Sequence, residues 1–453
     1  MPYRLSDFFP RKVDLFHHEN FDVKRSNLSS SLPLMSPIES NSYDASGKTT
    51  SHPMTELDSK TDWSNLHGWV YGLLFGLHFA AIGFAWIPLF TKLRELHGQQ
   101  TAAICGSGPS IAAILTLFLF LSVESRWPHI RRRLWCAGAE AGMAGCYLVA
   151  FALLYLLPDY SSGSASIRVE WILLPMFIFM GLCQASANAL LTSMIISSRY
   201  AANLPRYRAI GSLGYALVAL AMDNLVDPGQ GLIFASVTAI IGSIVCGFLP
   251  KIEAIATAAN TETLLHSSRW NRQLPILVPL LLMLFFTGTS EQFHALYAHE
   301  FATGHFGASG TDWIGFAVLI EIVVLFLYPA YPKGWLASLI LVQPVAWLLL
   351  YSSCTIGVEN SPWFAYAILF QGFNCSGVVM VQQRVGRILS DVSAQASILF
   401  AQGSGALMVN SLDAFVLGEG TSVVWRTALQ FSIASVVVAF MALLIQWKQT
   451  KAN

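Results

Sequence analysis

The stretch KIEAIATAANTETLLHSSRWNRQ, residues 251–273, is the longest polar break inside an otherwise oily chain, and its position decides the fold. On either side of it the sequence divides into apolar runs of about 20 residues, the length a helix needs to cross a hydrocarbon core of about 30 Å. Six runs precede it, at 67–91, 101–123, 134–157, 171–197, 207–226 and 231–249. Six follow it, at 275–298, 312–331, 334–356, 362–382, 393–415 and 422–446. The runs are continuous and lack polar–apolar alternation, so they predict helices rather than barrel strands. The expected fold class is an all-α membrane protein with twelve transmembrane helices in two six-helix halves. The expected organisation is a disordered polar N-terminal tail (1–62), a first half (67–249), a central loop (250–274), a second half (275–446) and a short C-terminal tail (447–453).

Composition agrees. Of 453 residues, 54% are hydrophobic and 11% charged, outside the range of a soluble domain. Formal net charge is zero, so nothing argues for nucleic acid or an acidic partner. The seven cysteines show no paired metal-ligand spacing and read as small buried hydrophobes. With no nucleophile–base pair, metal cluster or phosphate loop, the sequence predicts neither an enzyme nor a cofactor or metal.

Charge sets the expected orientation, because cytoplasmic loops retain Lys and Arg. The breaks after the even-numbered runs hold thirteen, among them Arg131, Arg132, Arg133, Arg206 and Arg208, against four in the opposite breaks: Lys92, Arg94, Arg168 and Arg426. Both termini and the central loop are therefore expected on the cytoplasmic side of a cell (inner or plasma) membrane. A six-plus-six plan with a central cytoplasmic loop is the layout of major facilitator transporters, in which solute binds near the midplane between the halves.

Charged side chains at membrane depth cost about 2.5 to 3.5 kcal/mol on insertion scales, so each is a candidate for function. Glu321, in WIGFAVLIEIVVLFL, has no local cation and is the strongest such signal. The seventh run carries TSEQFHALY, which brings Glu291, Gln292 and His294 together. A buried Glu or His can exchange a proton near neutral pH, which makes Glu321, Glu291 and His294 the candidates for proton coupling. Gln184, Asn188 and Ser193 in QASANALLTS line a cavity or join helices, and His78 and Glu140 stand as single polar residues in runs 1 and 3.

Two further stretches carry a resemblance. LPRYRAIGSLGYALVAL (204–220) contains Arg208, then Gly211 with Ser212, then Gly214 with Tyr215; FNCSGVVMVQQRV (373–385) leads to SAQASILF (393–400). Together with the isolated Glu321, in that order, they resemble helices 5, 8, 10 and 11 of the nucleoside:proton symporter family of the major facilitator superfamily. The resemblance implies solute contacts at Arg208, Ser212 and Tyr215 in the first half and at Gln292, Glu321, Phe370, Gln371 and Asn374 in the second. Amides and a carboxylate suit sugar hydroxyls and base edges, and Tyr215 and Phe370 offer faces for a ring. The sequence departs from the family at Gln371, where an acid is usual; a Gln carries no proton, which moves coupling to Glu321 or Glu291. The function this implies is secondary active transport of a nucleoside or similar small polar solute by alternating access, coupled to protons, by a monomer in the lipid bilayer. The alternatives are a sugar or aromatic-acid permease and a non-transporting sensor with the same fold.

Overall fold

The computed structural model describes residues 42–43, 49–50, 66–126, 131–156, 170–198, 200, 203–225, 228–249, 277–289, 310–327, 391–415 and 429–438, with isolated positions at 275, 292, 345, 348, 349, 378, 379, 381, 385, 426, 427, 440, 441 and 444. In the unit Met1–Lys60 the described residues are two short strands, β1 (Ser42–Tyr43) and β2 (Thr49–Thr50), paired antiparallel.

Among its described residues the unit Thr61–Asn453 consists of helices and short turns. Its elements are α1 (Leu66–Arg126), α2 (Arg132–Phe151) continued by a π turn (Ala152–Leu156), α3 (Glu170–Ile196), α4 (Leu204–Leu225), α5 (Pro228–Cys246), α6 (Leu277–Thr289), α7 (Gly310–Leu327), α8 (Asp391–Phe415) and α9 (Leu429–Val438). Predicted runs 1 and 2 both lie in α1, whose apolar spans are Gly68–Gly98 and Gln100–Phe120. The chain breaks between them at Gly98, with φ 81° and ψ 171°, a conformation essentially reserved for glycine. Runs 3 to 6, 8 and 11 coincide with helices to within a few residues at most ends, and the described stretches of α6 and α9 lie inside runs 7 and 12. Runs 9 and 10 and the central loop fall almost wholly outside the described residues.

These helices are apolar on every face, as expected where lipid rather than water lies outside. Trp171, Phe248 and Ile244 are 76%, 70% and 61% exposed, an arrangement that would invite aggregation in water and suits acyl chains. Lipid offers no hydrogen bonds, so hydroxyls bond within the protein. Thr116, Thr289, Ser404 and Ser411 donate to the carbonyl four residues earlier in their own helices. Ser236 and Ser243 of α5 reach the α2 carbonyls of Ala144 and Ala137 at 3.0 and 2.8 Å. The five described cysteines are buried and free, as expected.

Helix contacts rest on small residues, the usual membrane solution because association must come from close packing. α1 packs on α3, α4, α5 and α8, α2 on α3 and α5, and α4 on α7. The glycines of the Gly211–Tyr215 motif have a steric purpose. A methyl group at Gly211 would stand 2.8 Å from the Phe79 ring, and one at Gly214 would strike the backbone carbonyl of Gly76. Backbone cannot step aside as a side chain can. Gly214→Val is therefore expected to separate α4 from α1 and lower the melting temperature in detergent by the equivalent of about 1 to 3 kcal/mol or more; unchanged melting would mean that the helices do not approach at this point.

Arg206 and Arg208, counted above among loop charges, lie inside α4 and are half-buried. Lys92 and Arg94 likewise lie inside α1, before its break.

Candidate functional site

Arg208, Ser212 and Tyr215 are spaced at three and four residues along α4, which places them on neighbouring parts of one face. The Arg208 guanidinium lies over two α1 rings, 4.8 Å from the centre of Phe79 and 5.8 Å from that of Phe75. Its Nη1 donates to Asn188 Oδ1 of α3 at 3.0 Å. Rings and amide together fix the direction of a flexible cation, which is more than a loop charge would show. Asn188 therefore serves as a partner for Arg208. Ser193, from the same stretch, bonds its own helix at the Leu190 carbonyl.

One turn beyond Arg208, the Ser212 hydroxyl stands 2.8 Å from Glu321 Oε1 of α7 and 3.2 Å from the Arg208 carbonyl oxygen. Glu321 is 9% exposed and Ser212 8%. The contact spans 109 residues and joins a helix before the central polar break to one after it. Around it Ala209 and Ala216 pack with Ile322 and Leu325, and Gly315 sits against Leu220. The hydroxyl serves either form of the carboxyl group. It donates to ionised Glu321; when Glu321 is protonated it accepts from the acid and turns its own hydrogen to the Arg208 carbonyl. Tyr215, half-buried, lies with its ring edge against Gly83 of α1, where a methyl group would stand 3.3 Å away.

In the second half, Gln292 Nε2 donates to Asn410 Oδ1 of α8 at 3.1 Å. Glu291, His294, Phe370, Gln371 and Asn374 lie outside the described residues. Of the sites expected from sequence, the structure thus brings Arg208, Ser212 and Glu321 into one cluster and gives Gln292 a partner that sequence reading passed over. Asn410 did carry a signal, as an amide within the apolar ALMVNSLDAF.

His78 and Glu140, read above as single polar residues, are a pair. His78 Nδ1 of α1 and Glu140 Oε1 of α2 are 2.7 Å apart at 1% and 0% exposure. Gly242 of α5 lies against the carboxylate, the position a Cβ would take standing 3.5 Å from Oε2. The ring edge of His78 meets Phe79, the residue beneath Arg208. The pair is thus a tie among helices of the first half, one residue removed from the cation site. Sequence reading missed it because the partners are 62 residues apart.

No family model matches the chain, and no curated protein matches it. Solved structures do. The chain is similar to the nucleoside transporter NupG, with a TM-score of 0.58 and 15% identity over 84% of this chain and 98% of that one. It is similar to the human organic anion transporter MFSD10 (TETRAN), with a TM-score of 0.56 and 14% identity over 82% and 98%. The POT family transporter PepTSo matches with a TM-score of 0.55 and 10% identity over 85% and 98%. These relatives are membrane transporters and not enzymes. At such identities the likeness shows the fold: the chain has the helical architecture of major facilitator transporters.

Proposed function

We propose that this protein is a secondary active transporter that moves a nucleoside or similar small polar solute by alternating access, coupled to protons through Glu321. The observation that carries the reading is the Ser212–Glu321 contact beside Arg208, a buried carboxyl group with a reversible hydrogen-bond partner where α4 meets α7. Alternating access moves one half against the other, so a group at their junction can face each side in turn. Ser212 satisfies Glu321 with or without its proton, so loading and release leave no orphaned hydroxyl in a dry site. Arg208, Tyr215 and Gln292 supply a cation, a ring face and an amide, a set that suits a sugar hydroxyl and a heterocycle.

The orientation follows the charge pattern, with both termini and the 250–274 loop cytoplasmic, in two halves at 67–249 and 275–446. Likeness to NupG supports the solute class and likeness to MFSD10 supports a second reading, an organic acid held by Arg208. Uptake of labelled uridine, a hexose and benzoate into proteoliposomes, with and without a pH gradient, separates the readings. Gradient-driven uridine accumulation is the expected result. Accumulation of benzoate alone would replace the nucleoside reading with the acid one. Uptake of none of the three would remove the nucleoside reading.

A ring bound near Tyr215 gives a further expected result. Tyr215→Ala should weaken uridine binding by about 1 to 3 kcal/mol, through lost apolar contact and ring packing. Titration calorimetry on the purified variant checks it, and unchanged affinity would take Tyr215 out of the pocket.

A further inference from the structure

We propose that Asn410 is a positioning residue that ties the solute-contacting amide of Gln292 to closure of the seam between α1 and α8. The inference rests on the reading of Gln292 as a solute contact.

Asn410 is fully buried, five residues before the end of α8 at Phe415. A primary amide offers one oxygen and two N–H groups, and this one uses both ends. Its Oδ1 accepts from Gln292 at 3.1 Å, while its Nδ2 donates to the Gly106 carbonyl at 3.0 Å and stands 3.4 Å from Ser110 Oγ. Gly106 and Ser110 are one turn apart in the second arm of α1, so the amide joins a helix of the first half to two segments of the second.

The backbones here are close enough for the amide to reach. A methyl group at Gly403 would stand 2.7 Å from Ala113 Cβ and 2.9 Å from the Ser110 carbonyl oxygen, and one at Gly405 would strike the Phe285 carbonyl of α6. α8 is thus set between α1 and α6 with almost no intervening side chain, and Asn410 forms a polar tie across that seam.

Two consequences follow for transport. Parting α1 from α8 breaks the Asn410–Gly106 bond and leaves a buried donor without its acceptor, which opposes opening. It also moves the acceptor that holds Gln292. While Nε2 of Gln292 is engaged, its other N–H and its oxygen are presented in one orientation; once Asn410 moves, that orientation is lost and solute is held less tightly. Solute affinity and seam closure are then linked, and linkage is reciprocal: bound solute must favour the closed seam.

The test is a double-mutant cycle on the full chain in lipid nanodiscs, with uridine as the probe. Asn410→Ala is expected to weaken uridine binding about three- to ten-fold, the range for loss of one hydrogen bond. In a Gln292→Ala background the same change is expected to have no further effect, because Asn410 acts through Gln292. Equal losses in both backgrounds would overturn the proposal. The seam is read separately, by maleimide labelling of Ala113→Cys against the same protein without that cysteine. Labelling is expected to rise with Asn410→Ala and to fall with uridine only while Asn410 is present. Labelling indifferent to Asn410 and to uridine would overturn it as well.

Asn410→Asp covers the case in which the alanine variant does not fold. It preserves size and an oxygen for Gln292, but once ionised it has no hydrogen for the Gly106 carbonyl. Labelling is then expected to rise with pH beyond that of Ala113→Cys alone, and a pH-independent ratio would count against the tie. If the parent protein binds no uridine, the nucleoside reading fails while the effect of Asn410 on labelling still decides the fate of the seam.

Discussion

Glu321→Gln is expected to abolish accumulation of solute driven by a pH gradient while solute exchange across the membrane survives. The two outcomes separate because the substitution removes a proton site without removing a hydrogen-bond site. A Gln amide oxygen accepts from Ser212 at the position where Glu321 Oε1 now stands, 2.8 Å away, so the junction of α4 and α7 keeps its bond. The amide has no proton to exchange at any working pH, and the gradient loses its point of entry. Ser212→Ala complements it. The carboxyl group remains but loses the partner that adapts to both of its forms, so the expected change is a shifted pH dependence of uptake rather than loss of coupling. Gln371→Asp would place an acid where the nucleoside:proton symporter family that the sequence resembles carries one, and is expected to increase the proton dependence of uptake. If Glu321→Gln concentrates solute as well as the parent does, Glu321 is not the coupling group and the protein works as a facilitator.

Glu140→Ala is expected to cause the largest loss of stability, about 3 to 5 kcal/mol, the cost of breaking a fully buried pair by removing one partner. His78 would keep a ring nitrogen at 1% exposure facing the space left by the carboxylate, without its protein partner. Among the described residues its other nitrogen already has no hydrogen-bond partner, and neither has Glu140 Oε2, so the pair has no reserve to redistribute. The chemistry also predicts a rescue. His78→Phe combined with Glu140→Leu removes both polar groups, leaves none stranded and should recover most of the loss, since apolar replacement of buried pairs is often close to neutral. Glu140→Gln, which still accepts from His78, should fall between the two. Thermal unfolding in detergent measures the series. A Glu140→Ala protein as stable as the double variant would mean that the contact contributes nothing and that α1 and α2 are joined by packing alone.

The parts of this protein legible in the sequence are those that depend on one residue and its near neighbours. A lipid environment demands a continuous apolar run for every crossing, so the helices from α2 to α5 could be placed to within a few residues from hydropathy. The polar break at 251–273 and the spacing of the charged loops depend equally on local sequence and are the basis of the proposed two-half plan. Glu321 was legible for the same reason, because a carboxyl group in an apolar run is costly wherever the helix lands. Gly211 and Gly214 were visible as a motif, but their purpose was not: it lies in Phe79 and Gly76, more than 130 residues earlier.

Tertiary structure decided which polar groups meet. Arg208 looked like a topogenic loop charge until α4 carried it over Phe79 and Phe75, and His78 and Glu140 looked solitary until α1 and α2 brought them to 2.7 Å. Asn410 gained its place from three segments separated by more than 100 residues in sequence. Hydropathy is a property of a segment against its solvent and can be read one segment at a time. A hydrogen bond in a dry interior is a property of two groups, and which two is settled by the close approach of helices through glycine and alanine, which no single segment records.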